Sequence, residues 1–227
     1  MPEQAIPAAP ALDPRLAARL AEIALMEPTV DLARRESYVT AQGWHLDARE
    51  AALPAEAPGP PGADGSFAVA CHILEQYAFP PRRLIRGSFD PAAPLDNRAM
   101  LLTARYLWMT FELPVRVSRV IDMTRAGQHG SEHVWGYSYQ TLAGHLERGE
   151  ITFEIVKVID SGAVVFRIHS FSQTGHIANL VHRLGFRLVG RRLQRRFAEE
   201  SLRNMQLLVA QHLSATAPAG TGGTPAG

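Results

Sequence analysis

The stretch GYSYQTLAGHLERGEITFEI, residues 136–155, decides the fold that the sequence predicts. It reads as a strand, a glycine-bounded turn and a second strand, because aromatic and branched residues alternate with small or polar ones on both sides of the turn. A period of two assigns the side chains of the first strand, 133–141, to opposite faces. One face carries Trp135, Tyr137, Tyr139 and Thr141, and the other carries Val134, Gly136, Ser138 and Gln140.

Comparable stretches on both sides of this one predict an antiparallel sheet. They are rich in Val, Ile, Phe, Tyr and Trp, and Pro, Gly, Asp or Ser separates them. They lie at 82–89, 98–113, 115–123, 133–142, 150–159 and 163–171. Hairpin turns are predicted at 112–114, Glu-Leu-Pro, and at 160–162, Asp-Ser-Gly, where the glycine supplies the positive φ of a tight turn.

Three helices are predicted around these strands. Asp13 and Pro14 start a short amphipathic helix that ends before Pro28, and its apolar stripe must pack on the main domain or on a second subunit. Ser66 caps the second helix, which two prolines end. The third is a long helix at about 177–212, which carries two glycines that weaken its helix propensity.

Low-complexity segments divide the chain. Residues 1–52 are assigned to an N-terminal arm with a short helix, 53–65 to a Pro/Gly-rich linker, and 66–213 to the main α+β domain. The first residues and the tail, 214–227, are rich in Ala, Pro, Gly and Thr and are expected to be disordered. The predicted fold class is α+β, with a curved antiparallel sheet packed on a long C-terminal helix in a helix-grip-like arrangement.

The opening stretch resembles the uncharacterised protein family 0548, also called domain of unknown function nineteen-ninety, over about residues 66–208. The family pattern of Gly-Tyr, Thr-Leu, Gly-His, Glu, Gly-Glu and Phe falls on Gly136, Tyr137, Thr141, Leu142, Gly144, His145, Glu147, Gly149, Glu150 and Phe153. A Ser-Phe-Ser step follows at 170–172, and Gln140 and Thr174 depart mildly from the family's usual residues. The resemblance implies a helix-grip architecture of the Bet v 1 and START type, with a cavity between sheet and helix. It implies no activity, because the family has none established.

Composition limits the classes of protein to which the chain can belong. Its 227 residues suffice for one substantial core, and 23 Lys and Arg residues nearly balance 22 Asp and Glu residues. The single cysteine, Cys71, excludes an internal disulfide framework and is expected to be a buried core thiol. No signal peptide is recognisable, and no stretch approaches the roughly 20 apolar residues that span a bilayer. A cytoplasmic protein is therefore expected.

The turn between the two central strands supplies the candidate catalytic residues. His145 and Glu150, with Glu147 between them, suit general acid–base chemistry, a divalent metal, or a hydrogen-bonded turn that sets the hairpin register. No metal site is predicted, because three ligands from one turn are geometrically awkward. No cofactor is predicted either, since the chain contains no cofactor motif.

The aromatic face supplies the candidate ligand-binding residues, namely Trp135, Tyr137, Tyr139 and Thr141, together with His145 of the turn. If this face lines a cavity, its phenols offer hydrogen bonds and its rings offer apolar walls; if it faces the terminal helix, the same residues are core. Arg167 and His169 share a face of a later strand and are either solvated or a cationic anchor for an acidic ligand.

Three functions are compatible with these observations. The first is a cytoplasmic binding protein for a small hydrophobic or amphipathic molecule held between sheet and helix. The second is an enzyme of the cyclase, hydrolase or isomerase type that uses the same pocket. The third is a protein-interaction module that uses the arginine-rich helix; a nucleic-acid partner is not predicted, because the chain is nearly neutral and has no known nucleic-acid motif.

Overall fold

A computed structural model of the chain describes residues 12–106, 109–174 and 180–216, with the backbone alone for residues 106, 109 and 180–194. Its helices are α1 (Pro14–Ala24), α2 (Ser66–Glu75) and α3 (Leu180–Thr216). Its strands are β1 (His45–Leu53), β2 (Ile85–Ser88), β3 (Ala99–Tyr106), β4 (Met109–Gly127), β5 (Gly130–Thr141), β6 (Glu147–Val158) and β7 (Val164–Thr174). Within the described residues, the strands form one antiparallel sheet in the order β1-β7-β6-β5-β4-β3-β2.

The sheet packs one face against α2 and α3, and we call this its inner face. Alternation along the strands decides which side chains reach it, because successive residues point to opposite sides. The core of the inner face includes Leu102, Val115, Tyr137, Phe153 and Phe166, which pack with Met205 and Val209 of α3. The predicted α+β fold, a curved antiparallel sheet packed on a long C-terminal helix with a short N-terminal helix, is confirmed.

The N-terminal helix packs on the opposite face of the sheet, the outer face. The Asp13 side chain accepts hydrogen bonds from the backbone N–H groups of Arg15 and Leu16, so the predicted cap is confirmed. Leu20 and Ile23 of α1 are buried in one cluster with two side chains of the main fold, Leu101 and Leu142. The apolar stripe of α1 therefore packs on the main fold.

Residues assigned by the sequence analysis to the arm and the linker take part in the sheet. Strand β1 pairs with β7 along its whole length, from His45 opposite Ser172 to Leu53 opposite Val164. The segment that follows β1 is hydrogen-bonded to the turn between β6 and β7, because Glu56 N–H donates to Gly162 O at 2.9 Å. The sheet thus begins at His45, whereas the sequence places the start of the main fold near Ser66.

The two predicted hairpin turns have different outcomes. Residues 160–162 do connect β6 to β7. Gly162 has a φ of 73°, and the Glu56 carbonyl oxygen is so close that a Cβ at this position would overlap it. Only glycine therefore fits here. The turn predicted at 112–114 is wrong, since these residues lie inside β4. Pro114 is tolerated there because the pairing of β4 with β5 ends at Thr141, the last residue of β5, which lies opposite the residue after Pro114. Pro114 itself lies opposite Leu101 of β3.

Several predictions concern the ends of the chain. Residues 1–11 and 217–227, most of the segments predicted to be disordered, lie outside the described residues, and so do residues 177–179 of the predicted long helix. Residues 214–216 belong to α3. No helix in the described part of the chain is long and apolar enough to cross a membrane.

Candidate functional site

A cavity of about 190 Å³ lies between the inner face of the sheet and α3. Its apolar wall comes from the sheet and the helix, and includes Leu102, Leu113, Ile151, Ile168 and Phe197. One end of the cavity is polar, where the turn between β5 and β6 approaches the beginning of β1. The strand register places these segments together, because β7 pairs with both β6 and β1 at that end. The arrangement can hold a small apolar group with a polar group at one end.

The aromatic face predicted for β5 is the inner face, but only part of it borders the cavity. Tyr139 and Thr141 line the cavity wall. Tyr137 is buried in the core, where its hydroxyl donates to the Leu74 carbonyl of α2 at 3.2 Å. Burial raises the pKa of this phenol, so it stays protonated. Trp135 packs against the same core. The alternation therefore predicts the correct face, and the packing of α2 separates its core residues from its cavity residues.

The hydroxyl of Tyr139 meets a second phenol behind the cavity wall. Tyr139 Oη lies 3.4 Å from Tyr77 Oη, and both side chains are buried. Burial raises the pKa of Tyr139 to about 12, so that the pair is neutral at physiological pH. Two neutral phenols in an apolar wall provide one shared hydrogen bond and no charge.

His145 borders the polar end of the cavity. Its Nδ1 lies 3.0 Å from both the backbone N and the backbone O of Glu147, so it can accept from the first or donate to the second. The turn reaches this geometry because Gly144 adopts a φ of 88°. Burial lowers the pKa of His145 to about 4, and the imidazole is neutral at physiological pH.

The lowered pKa of His145 predicts a pH dependence of stability. Between about pH 6.5 and pH 4 the unfolded chain binds a proton at this histidine and the folded chain does not, so the free energy of unfolding falls as the pH falls through this range. We expect His145→Gln to remove this part of the pH dependence. Urea unfolding of both proteins between pH 7 and pH 4 measures it, and parallel curves for the two proteins would contradict the prediction.

Glu150, the second catalytic candidate, is engaged on the outer face. Its side chain is 2% exposed, Oε1 accepts from the Ser118 hydroxyl at 2.7 Å, and Oε2 accepts from the Arg35 guanidinium. The carboxylate therefore already serves to hold the N-terminal segment against the sheet, and the structure does not pair it with His145. Among the described residues, no cluster of His, Cys, Asp and Glu side chains is arranged to hold a metal ion.

Thr141 connects the N-terminal segment to the cavity. Its hydroxyl accepts from the Gly149 N–H at 2.9 Å and also contacts the Thr29 hydroxyl. The backbone extends this connection, because Thr29 N–H donates to Thr141 O and Ala143 N–H donates to Glu27 O. Residues 27–29 thus bind the end of β5 and the turn, while Gly149 of β6 binds Thr141 from within the hairpin.

Arg167 and His169 lie on the outer face, away from the cavity. Arg167 donates to Glu50 at 2.9 Å and to Glu132 at 3.2 Å, and His169 Nε2 lies 3.7 Å from Glu154. Although burial acts to raise the pKa of Glu154, the neighbouring His169 and the hydrogen bonds from Arg125 lower it to about 2. These residues form an ion network across the sheet, and the cavity-anchor interpretation of Arg167 and His169 does not match their location.

The charged side chains at the polar end of the cavity were not predicted from the sequence. Asp47 and Arg49 come from β1, a segment without a strand-like apolar pattern that was assigned to the arm. Arg195 comes from α3 and was noted only as part of an arginine-rich helix. The side chains of the helix arginines at 183, 187, 191 and 192 lie outside the described residues. Only the pairing of β1 with β7 brings Asp47 and Arg49 to the cavity.

A seven-stranded sheet closed by a C-terminal helix, with a cavity between them, defines the class as a helix-grip protein. Residues 28–204 match the family described as Domain of unknown function (DUF1990), and the chain belongs to this family. The predicted family is confirmed, and its match includes β1. No curated protein matches the sequence.

Several solved structures are similar to this chain at low sequence identity. Ara h 8.0201 is 12% identical over 76% of this chain and 99% of its own, with a TM-score of 0.45. Norcoclaurine synthase from Thalictrum flavum, in complex with dopamine and hydroxybenzaldehyde, is 12% identical over 74% of this chain and 88% of its own, with a TM-score of 0.44. The protein TTHA0849 from Thermus thermophilus is 13% identical over 76% of this chain and 100% of its own, with a TM-score of 0.43.

Proposed function

We propose that this protein binds a small hydrophobic or amphipathic molecule in the cavity between the sheet and α3. The observation that carries the proposal is the cavity itself, about 190 Å³ in volume and walled by side chains such as Leu113, Ile151 and Phe197. Unfilled apolar space destabilises a folded protein, because the lining atoms lose their packing partners. A ligand that fills the cavity restores those contacts.

The volume limits the size of the ligand. An apolar protein cavity of about 150 Å³ holds benzene, whereas pockets for drug-sized molecules occupy roughly 300–1,000 Å³. A cavity of about 190 Å³ therefore suits a single ring with a short substituent. The polar end, where His145 lies, is the place for a polar substituent.

The alternative of an enzyme has less support from the same residues. A general base works best with a pKa near the operating pH, and a pKa of about 4 makes His145 a weak base. Both carboxylate oxygens of Glu150 have partners outside the cavity. The binding proposal needs no titrating group. For the location of the protein we retain the cytoplasm as the proposal, because a single cysteine permits no internal disulfide.

Filling the cavity with a side chain tests the proposal. Ala198 of α3 borders the cavity, and Ala210 of the same helix is exposed. We expect Ala198→Phe to abolish binding of 4-methylphenol, a single-ring probe, while Ala210→Phe binds it like the unmodified protein. Isothermal titration calorimetry measures both affinities, and native mass spectrometry of protein purified from its own host identifies any retained molecule.

Two results would overturn the binding proposal. One is that the unmodified protein binds no single-ring probe and retains no small molecule. The other is that Ala198→Phe and Ala210→Phe bind the probe equally well, which would place binding outside the cavity. Thermal unfolding of both variants confirms that each is folded before its affinity is interpreted.

A further inference from the structure

We propose that the ligand is a single-ring or short-chain organic acid whose anionic group is bound by Arg49 and Arg195 at the polar end of the cavity. This inference rests on the proposed binding function and adds the chemical class of the ligand. Both arginines border the cavity, Arg49 from β1 and Arg195 from α3. The two elements that carry them are in contact, since α3 packs against β1.

The two guanidinium groups are available to a ligand. Arg195 is exposed, and no described residue forms a hydrogen bond or ion pair with it. Arg49 has one loose ion pair, in which its Nη1 lies 3.8 Å from a carboxylate oxygen of the half-exposed Glu199. An arginine binds a carboxylate best through two parallel N–H donors at shorter distances. Neither guanidinium is committed to such a pair among the described residues.

The helix places Arg195 and Glu199 beside the same part of β1. They are four residues apart in α3 and therefore lie on one side of the helix, next to Arg49. Glu199 thus competes with a ligand for Arg49. Removing its charge is expected to leave both arginines to the ligand.

The acidic residues at the cavity already have partners. Asp47 and Glu147 border the opening, and neither is without a partner. The Glu150 carboxylate is bound by Arg35 on the outer face. Within the described part of the chain, an anion that enters the opening therefore meets Arg49 and Arg195, and neither guanidinium is held in a close ion pair.

The apolar part of the proposed ligand is one ring, a size that matches the cavity volume. In the proposed complex, a short spacer between ring and carboxylate lets the ring contact the apolar wall while the carboxylate binds the arginines. The probe that matches this description is 3-phenylpropanoate. Its neutral counterpart is 3-phenylpropan-1-ol, which has the same ring and spacer and lacks the charge.

Comparing the two probes tests the inference. We expect the unmodified protein to bind 3-phenylpropanoate about tenfold more tightly than 3-phenylpropan-1-ol, with a preference that weakens as salt is raised. Arg195→Met and Arg49→Met are expected to weaken acid binding about five- to tenfold and to leave alcohol binding unchanged. Arg203→Met removes the same charge from an exposed position of α3 that does not border the cavity, and is expected to change neither affinity.

Glu199→Gln provides a test in the opposite direction. A merely structural role of this region predicts weaker binding or no change, whereas competition for Arg49 predicts about two- to fivefold tighter binding of the acid. Equal affinity for acid and alcohol in the unmodified protein would overturn the inference and leave the binding function standing. Failure of both probes to bind, together with 4-methylphenol, would overturn the binding function itself.

Discussion

Replacing Phe153 with alanine is expected to lower the free energy of unfolding by about 3–5 kcal/mol. Phe153 of β6 is fully buried at the centre of the aromatic core. Its ring centroid lies 4.9 Å from that of Phe79, 5.6 Å from that of Tyr139 and 5.9 Å from that of Tyr137. Truncation removes these contacts and leaves a void that a sheet and a helix packed on opposite sides cannot close.

Urea unfolding at pH 7 measures this loss. Phe153→Leu is the matched variant, because it removes the ring but keeps most of the apolar volume, and we expect it to lose less than half as much stability as Phe153→Ala. A loss below about 1 kcal/mol for Phe153→Ala would show that the core collapses around the missing ring, and would contradict the packing described for the inner face.

Replacing Lys157 with methionine is expected to cost a similar amount, about 3–5 kcal/mol, for an electrostatic reason. The side chains of Lys157 and Glu56 are 2% and 9% exposed, and Lys157 Nζ donates to Glu56 Oε2 at 2.6 Å and to Pro60 O at 3.0 Å. Without the ammonium group, the Glu56 carboxylate remains buried, and among the described residues its donors are the N–H groups of Phe67 and Gly62.

The double variant Glu56→Gln/Lys157→Met separates charge from packing. We expect it to regain part of the stability that Lys157→Met loses, because no unpaired buried charge is left. Burial acts to raise the pKa of Glu56, but Lys157 and the backbone donors lower it overall, so the contribution of the pair is present at neutral pH and is lost as the pH falls through the acidic range. If the double variant lost as much stability as Glu56→Gln and Lys157→Met lose together, direct coupling of the two side chains would be contradicted.

Local sequence patterns predicted the parts of the fold that depend on neighbouring residues. The alternation in β5 identified the inner face, and the Asp13–Pro14 pair identified the start of α1, because both depend only on nearby backbone geometry. The glycine at position 162 identified a turn for the same reason. The turn predicted at Pro114 was wrong. Pro114 lies inside β4, where the pairing with β5 ends, and the sequence does not distinguish a proline at such a place from a proline in a turn.

The candidate site was predicted only in part. Tyr139, Thr141 and His145 border the cavity and lie in or next to the signature turn, and ligand binding by them stays a prediction. The place of Arg49 in a strand was not predicted, because HLDAREAAL lacks the β-branched and aromatic residues of a typical strand. Arg49 reaches the cavity through the pairing of β1 with β7, a strand whose residues lie more than 100 positions further along the chain.

The sequence by itself determined the family, the α+β class and the division of the β5 side chains between two faces. Tertiary structure alone decided that α2 covers Tyr137 while Tyr139 borders a cavity, and that Glu150 binds Arg35, 115 residues away. The physical reason is the separation in sequence over which each effect acts. Backbone geometry sets the period of a strand from adjacent residues, whereas burial, charge pairing and cavity volume arise only when segments distant in the chain pack together.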